Sequence, residues 1–197
     1  VIILSATLPS SLRHTLLNAF QRGINGAPVI ADQNAGYPWL SHLSSQGVSE
    51  RYISTRPEVA RRVAVQWLND PDSARELILR TVESGQCICW IRNTVDDAIT
   101  VYRQLLDSGL VPPENLLLFH SRFAFIDRMA IENRALEWFG KSSTPTLRRG
   151  KVLIATQVVE QSLDLDIDVM ISDLAPVDLL IQRAGRLQRH IRDRHGA

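Results

Sequence analysis

Gln86-Cys87-Ile88-Cys89-Trp90-Ile91-Arg92-Asn93-Thr94-Val95-Asp96-Asp97 decides how this chain folds. Five apolar residues from Cys87 run without interruption, which marks a short strand buried on both faces. Thr94-x-x-Asp97 then starts a helix that lines one face with Ala98, Val101 and Leu105 and stops at Gly109. The same unit repeats to either side. Upstream, Asp70-Pro71 and Ser73-x-x-Glu76 are helix-start signals and Gly85 ends that helix. Downstream, residues 116–119 read as a strand, 124–139 as a helix, and 151–155 and 169–171 as further strands. Such alternation specifies an α/β fold, a parallel sheet with helices on both faces.

Right-handed crossovers put every strand-to-helix turn of such a sheet at one edge, where its ligands bind. That edge is expected to hold Arg92-Asn93-Thr94, His120-Ser121-Arg122, Ala155-Thr156-Gln157 and the loops leading to Gln182. These turns supply hydroxyls, amides and guanidinium groups near helix N-termini, where free N–H groups favour phosphate. Four on one edge make a site for a polyanion.

The N-terminal quarter is less regular. Val1-Ile2-Ile3-Leu4 reads as a buried strand ending in Ser5-Ala6-Thr7, and Pro9-Ser10 starts a helix through Leu12, Leu16, Ala19 and Phe20. Gly, Pro, Asn and Ser punctuate residues 23–50, with one short strand suggested at Tyr37, Trp39 and Leu40. A domain boundary is expected there, giving domains at 1–50 and 51–197. Residues 51–68 read as extended, with Val63, Val65 and Trp67 on one face. The chain opens directly on an apolar strand and stops without a folded tail, so it is expected to be part of a larger protein.

Composition excludes little. The 197 residues are 45% hydrophobic and 22% charged, with a net charge of +1, as in ordinary globular domains. No run approaches the ~18 apolar residues of a membrane span and no signal peptide opens the chain. Cys87 and Cys89 lie in a strand at i, i+2 and read as packing, which with the foregoing points to the cytoplasm and no membrane partner. Of the 22 basic residues only Lys141 and Lys151 are lysines. Codon bias or phosphate recognition each explains that excess.

Placement favours phosphate. Leu180-Ile181-Gln182-Arg183-Ala184-Gly185-Arg186-Leu187-Gln188-Arg189-His190 reads as one helix from about Asp178, anchored by Leu179, Leu180, Ile181 and Leu187. Arginines at 183, 186 and 189 would then lie on neighbouring lines of its surface. Guanidinium groups stay charged and match phosphate oxygens bidentately. A merely solvated basic face is the plain alternative. Arg183 itself reads as a structural or salt-bridging arginine, Glu160 as an ion-pair partner or a functional acid, and His190 as a cation at the helix end. Trp67, Trp90 and Trp138 read as core or half-core residues.

Three ordered motifs carry a resemblance. Ser5-Ala6-Thr7 resembles motif III of superfamily two helicases. Ala155-Thr156-Gln157-Val158-Val159-Glu160-Gln161-Ser162-Leu163-Asp164-Leu165-Asp166 resembles motif V, and Gln182-Arg183-Ala184-Gly185-Arg186-Leu187-Gln188-Arg189, about 25 residues on, resembles motif VI. Their wording, with the His120-Ser121-Arg122-Phe123 turn, is most similar to the CRISPR-associated helicase–nuclease of type I interference systems, in its subtype I-E form. The resemblance implies the end of RecA-like domain one (1–50) followed by RecA-like domain two (51–197). It implies ATP and Mg2+ as cofactors, held mainly by domain-one motifs, and ATP-dependent movement on DNA coupled to single-stranded DNA degradation. Single-stranded DNA and a guide-RNA surveillance complex are the implied partners.

Residue by residue, the resemblance makes Arg186 and Arg189 arginine fingers that reach the triphosphate. Gln182, Asp164 and Gly185 would face nucleotide. Thr94, Ser121, Arg122, Thr156 and Gln157 would contact nucleic acid, and Ser5 and Thr7 would couple hydrolysis to domain movement. A finger arginine is worth roughly 10³–10⁵ in rate, and supplying it from a second domain makes hydrolysis depend on closure.

The sequence contains no G-x-x-x-x-G-K-[ST] loop: Gly140-Lys141-Ser142 imitates its end, but Ala135 stands at the first Gly position and a helix precedes it. Asp-Glu and His-Asp pairs are also missing, so neither the magnesium-binding motif II nor a metal-dependent nuclease motif is present, and no metal ligand is assigned. These residues alone are therefore expected to be inactive. A general superfamily two RNA or DNA helicase, a non-catalytic nucleic-acid-binding module and a substrate-binding domain of a metabolic α/β enzyme remain the alternatives.

Overall fold

The computed structural model describes residues 1–5, 8–24, 26–29, 38–54, 62–160, 163–190 and 192, with the backbone of residue 161. It forms two compact units, Val1–Arg62 and Val63–Ala197.

In the first unit, helix α1 (Ser10–Gly23) begins after Pro9, and strands β1 (Trp39–Ser44) and β2 (Gly47–Tyr52) form an antiparallel hairpin. Gly47 closes the turn at φ 124°, a conformation that disfavours any Cβ. Arg13 of α1 lies 5.7 Å over the Trp39 ring and 3.7 Å from Glu50, which also accepts from Ser41 Oγ. The strand expected at Val1-Ile2-Ile3-Leu4 is not formed, and all four side chains are exposed. A strand apolar on both faces needs neighbours on both faces, and among the described residues β1 and β2 pair only with each other. The expected single strand near Trp39 is instead a hairpin.

The second unit follows the sequence closely. Asp70 caps α2 (Pro71–Glu83), accepting from Ser73 N at 2.7 Å, and β3 (Ile88–Ile91) follows. Thr94 caps α3 (Val95–Ser108), which Gly109 ends at φ 66°. Then come β4 (Leu116–Phe119), α4 (Phe125–Phe139), the one-turn α5 (Pro145–Arg148), β5 (Val152–Ala155), α6 (Val158–Gln161), β6 (Val169–Ser172) and α7 (Val177–Ala184). The four strands β3 to β6 are parallel, in the order β4-β5-β3-β6, with Ile88 opposite both Val152 and Val169.

Alternate residues of these strands feed two cores. Cys87, Cys89, Ile91, Leu117, Phe119 and Leu153 pack with Ala135, Trp138 and Phe139 of α4. Ile88, Trp90, Leu116, Val152 and Ile154 pack with Ala74 and Ile78 of α2 and Ala98, Val101 and Leu105 of α3. Each buried Leu, Ile or Phe side chain contributes roughly 1.5–3 kcal/mol, and two covered faces hold the sheet edge rigid. The expectation of core packing holds for Trp90 and Trp138 but fails for Trp67, which is 67% exposed because residues 62–69 join no sheet. Among the described residues no helix is long and apolar enough to cross a membrane.

Candidate functional site

Backbone hydrogen bonds run one residue past the strands and set four turns side by side. Thr156 N donates to Phe119 O, Arg92 N to Ala155 O, and Asp173 N to Ile91 O, at 2.8–3.1 Å. Side chains then lock the turns together. Gln157 Nε2 donates to Asn93 O, and Asn93 Nδ2 to Leu174 O. Asp173 Oδ2 accepts from both Asn93 N and Arg92 Nε. Asp173, which no motif flagged, thus organises the edge.

The predicted nucleic-acid residues all lie on these turns. Thr94 spends its hydroxyl on the α3 cap, accepting from Asp97 N and donating to the Asp97 carboxylate. Ser121 is exposed, and Arg122 reaches Asp96 Oδ1 at 2.6 Å in an exposed pair of small energetic weight. Thr156 is buried, with its N–H given to Phe119 O and its carbonyl accepting from Val159 N, while Gln157 is exposed. His120 is buried and stacked on Phe123, ring centroids 4.1 Å apart. Burial lowers its pKa, the nearby Arg122 charge adds to that, and its own backbone hydrogen bond opposes it. Its Nδ1 accepts from Arg122 N, so the neutral ring carries its proton on Nε2.

The arginine stretch departs from expectation. α7 ends at Ala184, and Gly185, whose N–H bonds Ile181 O, begins a turn instead of continuing a helix through His190. A Cβ on Gly185 would come within 3.1 Å of Gln182 O. Leu187 leaves the helix axis to bridge Ile167 as a strand does, and Gln188 sits at φ 45°. The three arginines therefore point to three different environments, and Ile181, expected as an anchor, is 56% exposed. Arg183 is buried, donating to Glu160 Oε1, Ser172 Oγ and Asp173 O. Arg186 is half-buried and donates to the carbonyls of Leu163 and Glu160. Burial lowers its pKa, with the neighbouring Arg189 charge acting the same way. Arg189 remains 42% exposed, its Nε 2.8 Å from Asp164 Oδ1. Asp164 also lies 3.3 Å from His190 Nε2, which is where His190 goes in place of a helix end.

Gln182, Gly185, Arg186, Arg189 and Asp164 are thus gathered on the α7 end and the strand-like segment that follows α6. The partly exposed Arg189 guanidinium, oriented by Asp164, fits a phosphate in charge and shape. Among the described residues no group of three His, Cys, Asp or Glu could hold a metal. Ser5 is exposed in the first unit, and Thr7 lies outside the described residues. Gly140-Lys141-Ser142 follows α4; Lys141 and Ser142 are exposed, whereas Gly140 is buried and bridges Leu165.

A family model described as the C-terminal part of the CRISPR-associated nuclease/helicase Cas3 matches residues 84–192. The chain is 38% identical over 200 residues to the CRISPR-associated endonuclease/helicase Cas3 of Escherichia coli K12, covering 98% of this chain and 22% of that protein. A crystal structure of T. fusca Cas3 with ATP superposes with TM-score 0.77 at 36% identity, over 95% of this chain and 24% of that one. A chain of a CRISPR RNA-guided surveillance complex before nicking gives TM-score 0.73 at 35% identity, over 94% and 24%. The chain spans about a fifth of the length of the curated relatives it matches. With the parallel sheet and its four adjoining turns, these likenesses show that the chain belongs to the Cas3 family of CRISPR-associated nuclease/helicases.

Proposed function

We propose that this chain is the motor part of a longer protein that hydrolyses ATP while translocating on and unwinding DNA. In this reading residues 1–50 close RecA-like domain one and 51–197 form RecA-like domain two. The observation that carries it is Arg189, held by Asp164 yet two-fifths exposed. Arg189 and Arg186 stabilise the charge that develops on the transferred phosphoryl group, and Gln182, Gly185 and Asp164 orient the turn that carries them. Arg186 must release the Leu163 and Glu160 carbonyls to serve, so domain closure would gate its arrival.

Thr94, Ser121, Arg122, Thr156 and Gln157 grip the strand through phosphate and sugar, which makes movement insensitive to sequence. Ser5 and Thr7 couple the two domains. Recruitment by a guide-RNA surveillance complex, degradation of the displaced single strand by a nuclease domain, and action in the cytoplasm complete the proposal. The 197 residues alone neither hydrolyse ATP nor cut DNA.

The test is ATP hydrolysis by the full-length protein without polymer, with single-stranded DNA and with RNA, in wild type, Arg186→Ala and Arg189→Ala. Stimulation by DNA that falls roughly 10³-fold or more in the variants, with DNA binding retained, supports a DNA motor with arginine fingers. Stimulation by RNA alone makes it an RNA helicase. Binding without hydrolysis leaves a nucleic-acid-binding module.

A further inference from the structure

The turn that carries Arg186 and Arg189, with Arg192 beyond it, is docked on Asp166 and Ile167 at four points. Ile167 N donates to Arg186 O at 2.9 Å, and Gln188 N to Ile167 O at 2.8 Å. Asp166 holds the other end: its Oδ1 accepts from Arg189 N at 2.9 Å, and its Oδ2 accepts from Arg192 Nε. Arg192 in turn spreads its terminal nitrogens over the carbonyls of Gly140, Lys141 and Ser143, on the loop after α4. Arg148 braces the same carboxylate from behind, 3.6 Å from Oδ2, while donating to Asp166 O at 2.8 Å. Asp166 is wholly buried.

Two aspartates two residues apart therefore divide one task. Asp164, exposed, faces the Arg189 side chain, and Asp166, buried, fixes the Arg189 backbone. A carboxylate taking charge-assisted bonds away from water gives a rigid anchor point, and that rigidity is transmitted to the one residue whose main-chain N–H it holds. The bracing is needed because Gln188, directly before Arg189, sits in a left-handed conformation that an L side chain adopts at a cost.

We propose that Asp166 and Arg192 form a clamp that positions Arg189 for phosphate, Asp166 being a positioning residue that acts through Arg189 without touching nucleotide. This rests on the functional reading above. Loss of the clamp lets the finger turn move by an ångström or so, which lowers the catalytic rate constant and leaves ATP affinity intact.

The test is a double-mutant cycle in the full-length protein, reading DNA-stimulated ATP hydrolysis and thermal unfolding on the same preparations. Asp166→Ala and Arg192→Gln each lower kcat about 10²-fold with KM for ATP unchanged, and Asp166→Asn, which keeps an acceptor for Arg189 N, recovers part of the loss. In an Arg189→Ala background neither adds a further loss. Should Asp166→Ala fail to fold, Arg192→Gln carries the cycle, because Arg192 lies at the periphery of the cluster. Equal losses in both backgrounds, or none in either, overturn the clamp. A wild-type protein without hydrolysis defeats the functional reading instead. Hydrolysis that tolerates Arg189→Ala but falls with Arg192→Gln defeats the clamp and the finger role of Arg189 together, leaving the motor reading to Arg186.

Discussion

Arg183 and Glu160 face each other across α7 and α6 at 2.7 Å, with side chains 1% and 3% exposed. Both charges are out of water, so each depends on the other. Arg183→Ala leaves the carboxylate unpaired and is expected to cost about 3–5 kcal/mol, whereas the double change Arg183→Met with Glu160→Leu costs much less. Denaturant unfolding of wild type and the two variants checks this. A single variant no worse than the double one would show that the pair contributes little.

His120 supplies a pH dependence. Its folded pKa lies below the ordinary 6.5, so the unfolded chain binds the extra proton first as pH falls. The stabilisation is therefore fully present above 6.5 and is lost as pH falls through the folded value. His120→Gln should flatten the unfolding midpoint between about pH 7 and pH 5 relative to wild type. Parallel pH profiles in the two proteins would contradict the assignment.

The thiols should be inert in the fold. Burial, with the Asp168 carboxylate adding, pushes Cys87 up to about 12, and burial raises Cys89 still further. Alkylation near pH 8 is expected to be about 10³-fold slower in the native chain than in denaturant, since only the thiolate reacts. Comparable rates would mean that this strand opens readily.

Single-stranded DNA binding should weaken steeply with salt. If Arg122 leaves Asp96 for a phosphate, Arg122→Ala lowers the log–log salt slope by about 0.7. An unchanged slope would confine Arg122 to its contact with α3.

Much of the second unit was legible because its signals are local. Thr94 with Asp97, Gly109 and the uninterrupted run from Cys87 each act within a few residues, and the parallel sheet follows from their alternation. The site was legible in part. The four turns share an edge because parallel topology requires it, but the helix expected through His190 is broken at Gly185, since Leu187 gains more by pairing with Ile167 than by continuing a helical face. Spacing cannot reveal that competition. Nor could it reveal Asp173, Asp166, Arg148 and Arg192, whose side chains find partners between 18 and 81 residues away and carry no periodic signature. Val1-Ile2-Ile3-Leu4 and Trp67 show the reverse error, where apolar character was read as burial without a neighbour to supply it.

The strand order has a consequence for synthesis. Among the described residues β3 borders β5 and β6, and β4 borders β5 alone, so Ile88 and Leu116 both have a neighbour in Val152. A growing polypeptide holds two apolar strands with no ladder partner until β5 emerges from the ribosome. Such non-local pairing folds slowly and leaves sticky segments exposed in the meantime. A truncation before Val152 should therefore yield aggregate or chaperone-bound chains.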